Sequence, residues 1–179
     1  METKPIVGRI WIFGDNIDTD LIYPLTYFFF REDGITNKDE IRKHAMVGLD
    51  PEFVNKVQPG DIVVAGANFG CGSHREQAVT SLKYAGVGLI IAKSFARIYY
   101  RNAINLGLPV AEWATDDLSG LAQGDTFQVD LPNGVARNVT RGIELALKPL
   151  SPLLLNILTA GGLVSHVRAR GIDHWQDAA

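Results

Sequence analysis

Ser73 and Arg75, one residue apart, follow a glycine-rich stretch in the segment Gly66-Ala67-Asn68-Phe69-Gly70-Cys71-Gly72-Ser73-His74-Arg75-Glu76. Glycines let the backbone turn tightly and bring a ligand close to main-chain amides. A hydroxyl beside a fixed guanidinium is suited to proton chemistry or to anion binding. The spacing Ser73-x-x-Glu76 also fits a capping box. There the hydroxyl simply closes the helix that follows, worth ~1 kcal/mol. Both readings put Ser73 at a helix N-terminus. The positive end of the helix dipole favours a negative oxygen there, either a serine alkoxide or a bound carboxylate. Cys71 reads as a small turn residue rather than a nucleophile, since no base is evidently arranged for it. His74 either faces solvent in the first turn or touches a ligand, and its spacing does not decide. Nucleotide loops are excluded. There is no Gly-Lys-Ser/Thr, and Gly70-x-Gly72 lacks the third glycine of the dinucleotide fingerprint.

Regular elements must hold this turn. Asp61–Gly66 reads as a buried strand after the Pro59-Gly60 turn. Arg75–Tyr84 has helical spacing and stops near Gly86. Val87–Ala92 is a continuous apolar run, the pattern of a doubly covered parallel strand. Ser94–Asn105 is a second helix closed by Gly107, and Leu108–Ala111 a short strand. This β-α-β-α-β order implies a parallel sheet with right-handed crossovers, and ligand sites favour the carboxyl ends of such strands.

Upstream, Arg9–Phe13 is a strand ending at Gly14-Asp15-Asn16, and Asp15–Asp20 reads as a polar loop. Pro24 is expected to keep the next segment from starting as a helix. Lys38–Met46 is a short helix with Asn37 as N-cap. Downstream, Asp125–Leu131 and Val135–Val139 flank Pro132-Asn133-Gly134, a hairpin turn. Leu153–Leu158 is helical, and Leu163–Arg170 is either a last helix or a tail. The reading is one α/β domain over 1–179, with parallel and antiparallel sheet portions and a flexible C-terminal tail from about 171.

Composition narrows the function classes. A net charge of −3 gives no electrostatic reason to expect nucleic acid or an anionic membrane. No apolar run approaches the ~20 residues of a membrane span, and the N-terminus lacks a signal-peptide pattern. A reducing cytoplasm is the expected setting. Cys71 is the one cysteine, so the chain cannot ligate an iron–sulfur cluster by itself. His44, His74, His166 and His174 show no metal-ligand spacing. Any metal must come from a partner.

The segment Asn68–Glu76 closely resembles the swivelling domain of the aconitase superfamily. Further matching blocks are Gly14–Pro24, Gly48-Leu49-Asp50-Pro51, Ala92–Ile98 and Asn102–Pro109, in family order. The size resembles a stand-alone small subunit. The resemblance implies a three-layer β/β/α fold and a separate large subunit carrying a [4Fe–4S] cluster, paired as a heterodimer or heterotetramer. It implies a hydro-lyase that dehydrates and rehydrates a 2-hydroxy acid. Ser73 matches the family base and Arg75 the arginine that binds a substrate carboxylate. Asp20 matches an active-site aspartate with a supporting or proton-relay role; its ordinary reading is a turn residue. His74 stands where the family usually has a second serine.

The family loop that closes over the substrate's variable group falls on Leu25–Arg31. Tricarboxylate-acting relatives place an arginine there, whereas this chain has Phe28-Phe29-Phe30. An apolar wall suits an alkyl substituent and leaves a carboxylate unpaired. The expectation is conversion of 2-isopropylmalate to 3-isopropylmalate, as in leucine biosynthesis. The alternatives are another alkylmalate such as 2,3-dimethylmalate, a tricarboxylate such as homocitrate or citrate, or a non-catalytic binding domain. The ordinary reading of the aromatics is packing in the core or on the partner.

Overall fold

The computed structural model describes residues 4–27, 37–115 and 117–170. Phe28, Phe29 and Phe30, and the tail from about 171, lie outside the described residues.

Among the described residues, seven strands form one mixed sheet. They are β1 (Ile6–Ile12), β2 (Ile62–Ala65), β3 (Leu89–Ala92), β4 (Val110–Glu112), β5 (Thr126–Asp130), β6 (Val135–Asn138) and β7 (Ile143–Ala146). Their order is β4-β3-β2-β1-β5-β6-β7. The half β4-β3-β2-β1 is parallel, and β1-β5-β6-β7 is antiparallel. The crossovers of the parallel half are the expected helices, α4 (Gln77–Ala85) and α5 (Arg97–Leu106), each ended by a left-handed glycine.

Strand alternation sorts the core onto two faces. Val63, Ala65, Ile90 and Ala92 pack with Val79 and Leu82 of α4 and Tyr99 and Ala103 of α5. Ile62, Val64, Leu89 and Ile91 face the other way, against Phe127, Val129, Ala136 and Leu147. The antiparallel half thus folds over the face that the helices leave bare. The result is the three-layer β/β/α arrangement, and it explains why β2 and β3 are apolar throughout.

Several boundaries differ from expectation. The helix predicted over Lys38–Met46 is α2 (Lys38–Arg42), with Asn37 capping as expected and Met46 at φ 60. Asp15–Asp20 is not all loop. Asp18 caps a one-turn helix, α1 (Thr19–Ile22), by accepting from the Asp20 amide at 2.7 Å. Pro24 ends α1 by holding Tyr23 extended, yet a 3-10 turn follows at Leu25–Tyr27. Proline restricts the residue before it, not the turn after it. The strand β7 and the short helix α3 (Phe53–Lys56) had no sequence counterpart. Leu163–Arg170 is a helix, α7, following α6 (Pro152–Thr159).

A buried carboxylate ties the turn before β2 to β1. Asp61, with its side chain 4% exposed, accepts from Arg9, Trp11 and the Gln58 amide. Burial pushes its carboxyl up, but these hydrogen bonds outweigh that and hold it below the usual range. Asp61→Asn is expected to lower stability at neutral pH by about 2 kcal/mol. A depressed carboxyl stabilises the fold above its unfolded value near ~3.9 and loses that contribution as pH falls through the folded value. Urea melts of both proteins from pH 7 to pH 3 should therefore converge at the acid end.

Candidate active site

The site forms where β1 and β2 run out of strand but keep pairing. Backbone bonds continue the parallel register from Gly66 N–H to Gly14 O and from Asn16 N–H to Ala67 O. They go on from Gly70 N–H to Ile17 O and from Thr19 N–H to Cys71 O, each at 2.8–3.0 Å. Asn68 Nδ2 donates to Asn16 Oδ1 at 2.9 Å, with both asparagines at positive φ. The glycine-rich turn and the Asp-rich segment are thus laced along their length, which delivers Asp18, Thr19 and Asp20 beside Ser73 and Arg75.

Gly70 and Gly72 are required by positive φ and close approach together. Gly70 has φ +77, and a Cβ there would sit 2.1 Å from Cγ of Tyr99. Gly72 has φ +95, and a Cβ would sit 2.4 Å from Oδ2 of Asp18. Tyr99 is buried between Phe69 and Phe95 and cannot give way. Gly70→Ala is expected to destabilise the chain by about 3 kcal/mol or more, through positive φ and overpacking together. Thermal and urea unfolding of that variant check it.

Ser73 does not cap α4. The helix starts at Gln77 behind Glu76, which makes no side-chain cap bond, so the capping box is not formed. The hydroxyl is used elsewhere. Ser73 Oγ lies 3.0 Å from Thr19 Oγ1 and accepts from the Arg75 amide at 3.4 Å. Ser73 N–H donates to Thr19 Oγ1 at 2.9 Å. Arg75, with its side chain 16% exposed, forms an ion pair from Nη2 to Oδ1 of Asp20, whose side chain is 61% exposed. Its Nε is buried and has no partner among the described residues. His74 is exposed, and its carbonyl accepts from Asn102 of α5 at 3.1 Å. Burial first, and then the Asp18 charge, push the Cys71 thiol up. That keeps it a thiol at neutral pH, in line with a turn residue. Among the described residues, no group of three or more His, Cys, Asp and Glu could hold a metal ion.

Comparison with known proteins decides the family. The aconitase C-terminal domain family matches residues 30–112. The small subunit 2 of 3-isopropylmalate dehydratase from Archaeoglobus fulgidus is 51% identical over 93% of this chain and 96% of its own. The chain belongs to the 3-isopropylmalate dehydratase small-subunit family. A methanogen homoaconitase small subunit from Methanothermobacter thermautotrophicus is 52% identical over 90% of this chain and 89% of its own. The crystal structure of 3-isopropylmalate dehydratase from Methanocaldococcus jannaschii superposes with a TM-score of 0.84. It shares 41% identity and covers 97% of this chain and 99% of that one.

Within this small-subunit fold, Ser73, Arg75 and Asp20 meet in one place, and His74 stands at its rim. Phe28, Phe29 and Phe30 lie outside the described residues. Sequence reasoning passed over Thr19, Asp18 and Asn102, which shape the site through hydrogen bonds. The available signal for the first two was the polar run Asp18-Thr19-Asp20 ahead of the apolar pair Leu21-Ile22, a helix N-cap pattern.

Proposed function

We propose that this chain is the small subunit of a hydro-lyase that converts 2-isopropylmalate to 3-isopropylmalate, with Ser73 as its base. One observation carries the reading: a part-buried serine oxygen that accepts from the Arg75 amide, two residues from a guanidinium whose Nε has no partner among the described residues. An oxygen in that position is open to a substrate held by a docked neighbour. The neighbour is a large subunit, in keeping with the small-subunit names of the relatives.

That subunit is expected to carry a [4Fe–4S] cluster, which would draw off the departing hydroxyl as a Lewis acid. A lone Cys71 cannot ligate such a cluster here. The duties of this chain are then proton transfer and binding. Ser73, as its alkoxide, takes the proton from the carbon next to the carbinol and becomes the neutral hydroxyl. Arg75 holds a substrate carboxylate through its planar fork, and Asp20, paired with Arg75, relays the proton onward. His74 borders the entering substrate, and the aromatic sequence Phe28-Phe29-Phe30 favours an alkyl group over a third carboxylate. The setting is the cytoplasm, where Cys71 stays reduced.

The homoaconitase relative makes a tricarboxylate the competing substrate. Assays with the large subunit, on isopropylmalate, 2,3-dimethylmalate, homocitrate and citrate, separate the two. The chain alone should be silent, and the complex should hydrate 2-isopropylmaleate best. Preference for a tricarboxylate overturns the substrate assignment, and absence of turnover on every substrate overturns the enzyme reading.

A further inference from the structure

We propose that Thr19 is a positioning residue that acts through Ser73, lending its hydroxyl hydrogen to the serine oxygen once that oxygen is deprotonated. This rests on the reading of Ser73 as the base. Thr19 is 1% exposed and held by its amide to the Cys71 carbonyl at 2.8 Å. Its Oγ1 accepts from Ser73 N–H at 2.9 Å, lies 3.0 Å from Ser73 Oγ, and lies 3.4 Å from Asp18 Oδ1.

A hydroxyl has one hydrogen and two acceptor positions. The Ser73 amide occupies one acceptor position of Thr19 in every state. With Ser73 neutral, its hydrogen takes the other, and the Thr19 hydrogen turns to the Asp18 carboxylate. With Ser73 as alkoxide, that oxygen can only accept. Rotation of the Thr19 hydroxyl about its C–O bond then brings its hydrogen from Asp18 to Ser73, and no heavy atom moves. The alkoxide would be met by two donors, Thr19 O–H and Arg75 N–H. Donors preorganised in a water-poor site stabilise a developing anion more than the same donors in water.

A purely structural role makes a different forecast. The Thr19 amide and its acceptor lone pair already tether the turn, so loss of the hydroxyl would then cost stability alone. The test uses the assembled enzyme, large subunit included. Thr19→Val should lower kcat about 10²-fold, the usual effect of losing one oxyanion donor. KM should hold within about twofold, since a buried residue touches no substrate. The ascending limb of the pH–rate profile should move to higher pH, because the alkoxide is harder to form. Thr19→Ser should restore both the rate and the limb. Where Thr19→Val fails to fold by circular dichroism, Thr19→Cys carries the test with a weak S–H donor in place of the hydroxyl. Its rate should fall and its limb should shift the same way. A folded, assembled Val or Cys variant with wild-type kcat and an unmoved limb overturns the Thr19 proposal. Full turnover by Ser73→Ala instead overturns the base assignment beneath it.

Discussion

Replacing Ser73 by alanine in the assembled enzyme is expected to lower kcat about 10³-fold, with KM little changed. The expectation follows from what the oxygen touches. Ser73 Oγ has Thr19 Oγ1 at 3.0 Å and the Arg75 amide at 3.4 Å. Neither contact holds α4 together, since the helix begins at Gln77 without a serine cap. The alanine variant should therefore fold and assemble normally, and a melting curve close to that of the wild type checks this. Loss of about 1 kcal/mol of stability with intact turnover would be the signature of the cap that the spacing Ser73-x-x-Glu76 suggested.

Arg75→Ala should lower kcat/KM about 10³-fold, the scale of removing the hydrogen-bonded charge partner of a desolvated substrate carboxylate. Arg75 is the more enclosed member of its ion pair, at 16% side-chain exposure against 61% for Asp20. Its Nε is buried with no acceptor among the described residues, a costly arrangement that an incoming carboxylate would relieve. Asp20 holds only Nη2. A substrate carboxylate has to share or displace Asp20 at that nitrogen. Arg75→Lys keeps the charge and loses the fork, so it should recover only part of the loss. Initial rates against substrate concentration for both variants measure the two effects.

How far the sequence reached depends on the range of the interactions involved. The apolar runs Ile62–Ala65 and Leu89–Ala92, bounded by turn glycines, announce buried parallel strands because both faces are covered. The helices between them are equally legible. The strand β7 escaped because its apolar face is only Ile143 and Leu145, both half-buried, too short an alternation to mark a strand. Strand order is absent from any local pattern, so the third layer rested on family resemblance alone. Ser73 and Arg75 stood out by type and spacing, but their partners did not. Thr19 and Ser73 are 54 positions apart, and the lacing of backbone bonds that joins them has no local signature. The capping-box spacing misled for the same reason. A hydroxyl that a distant threonine engages is not available to the nearer helix.

The most direct measurement is solvent exchange into the substrate. In deuterium oxide, the complex of this chain with its large subunit should exchange the hydrogen on the carbon next to the carbinol, followed by NMR. The complex carrying Ser73→Ala should leave that hydrogen in place while still binding substrate. Exchange at the wild-type rate by the Ser73→Ala complex would contradict the account.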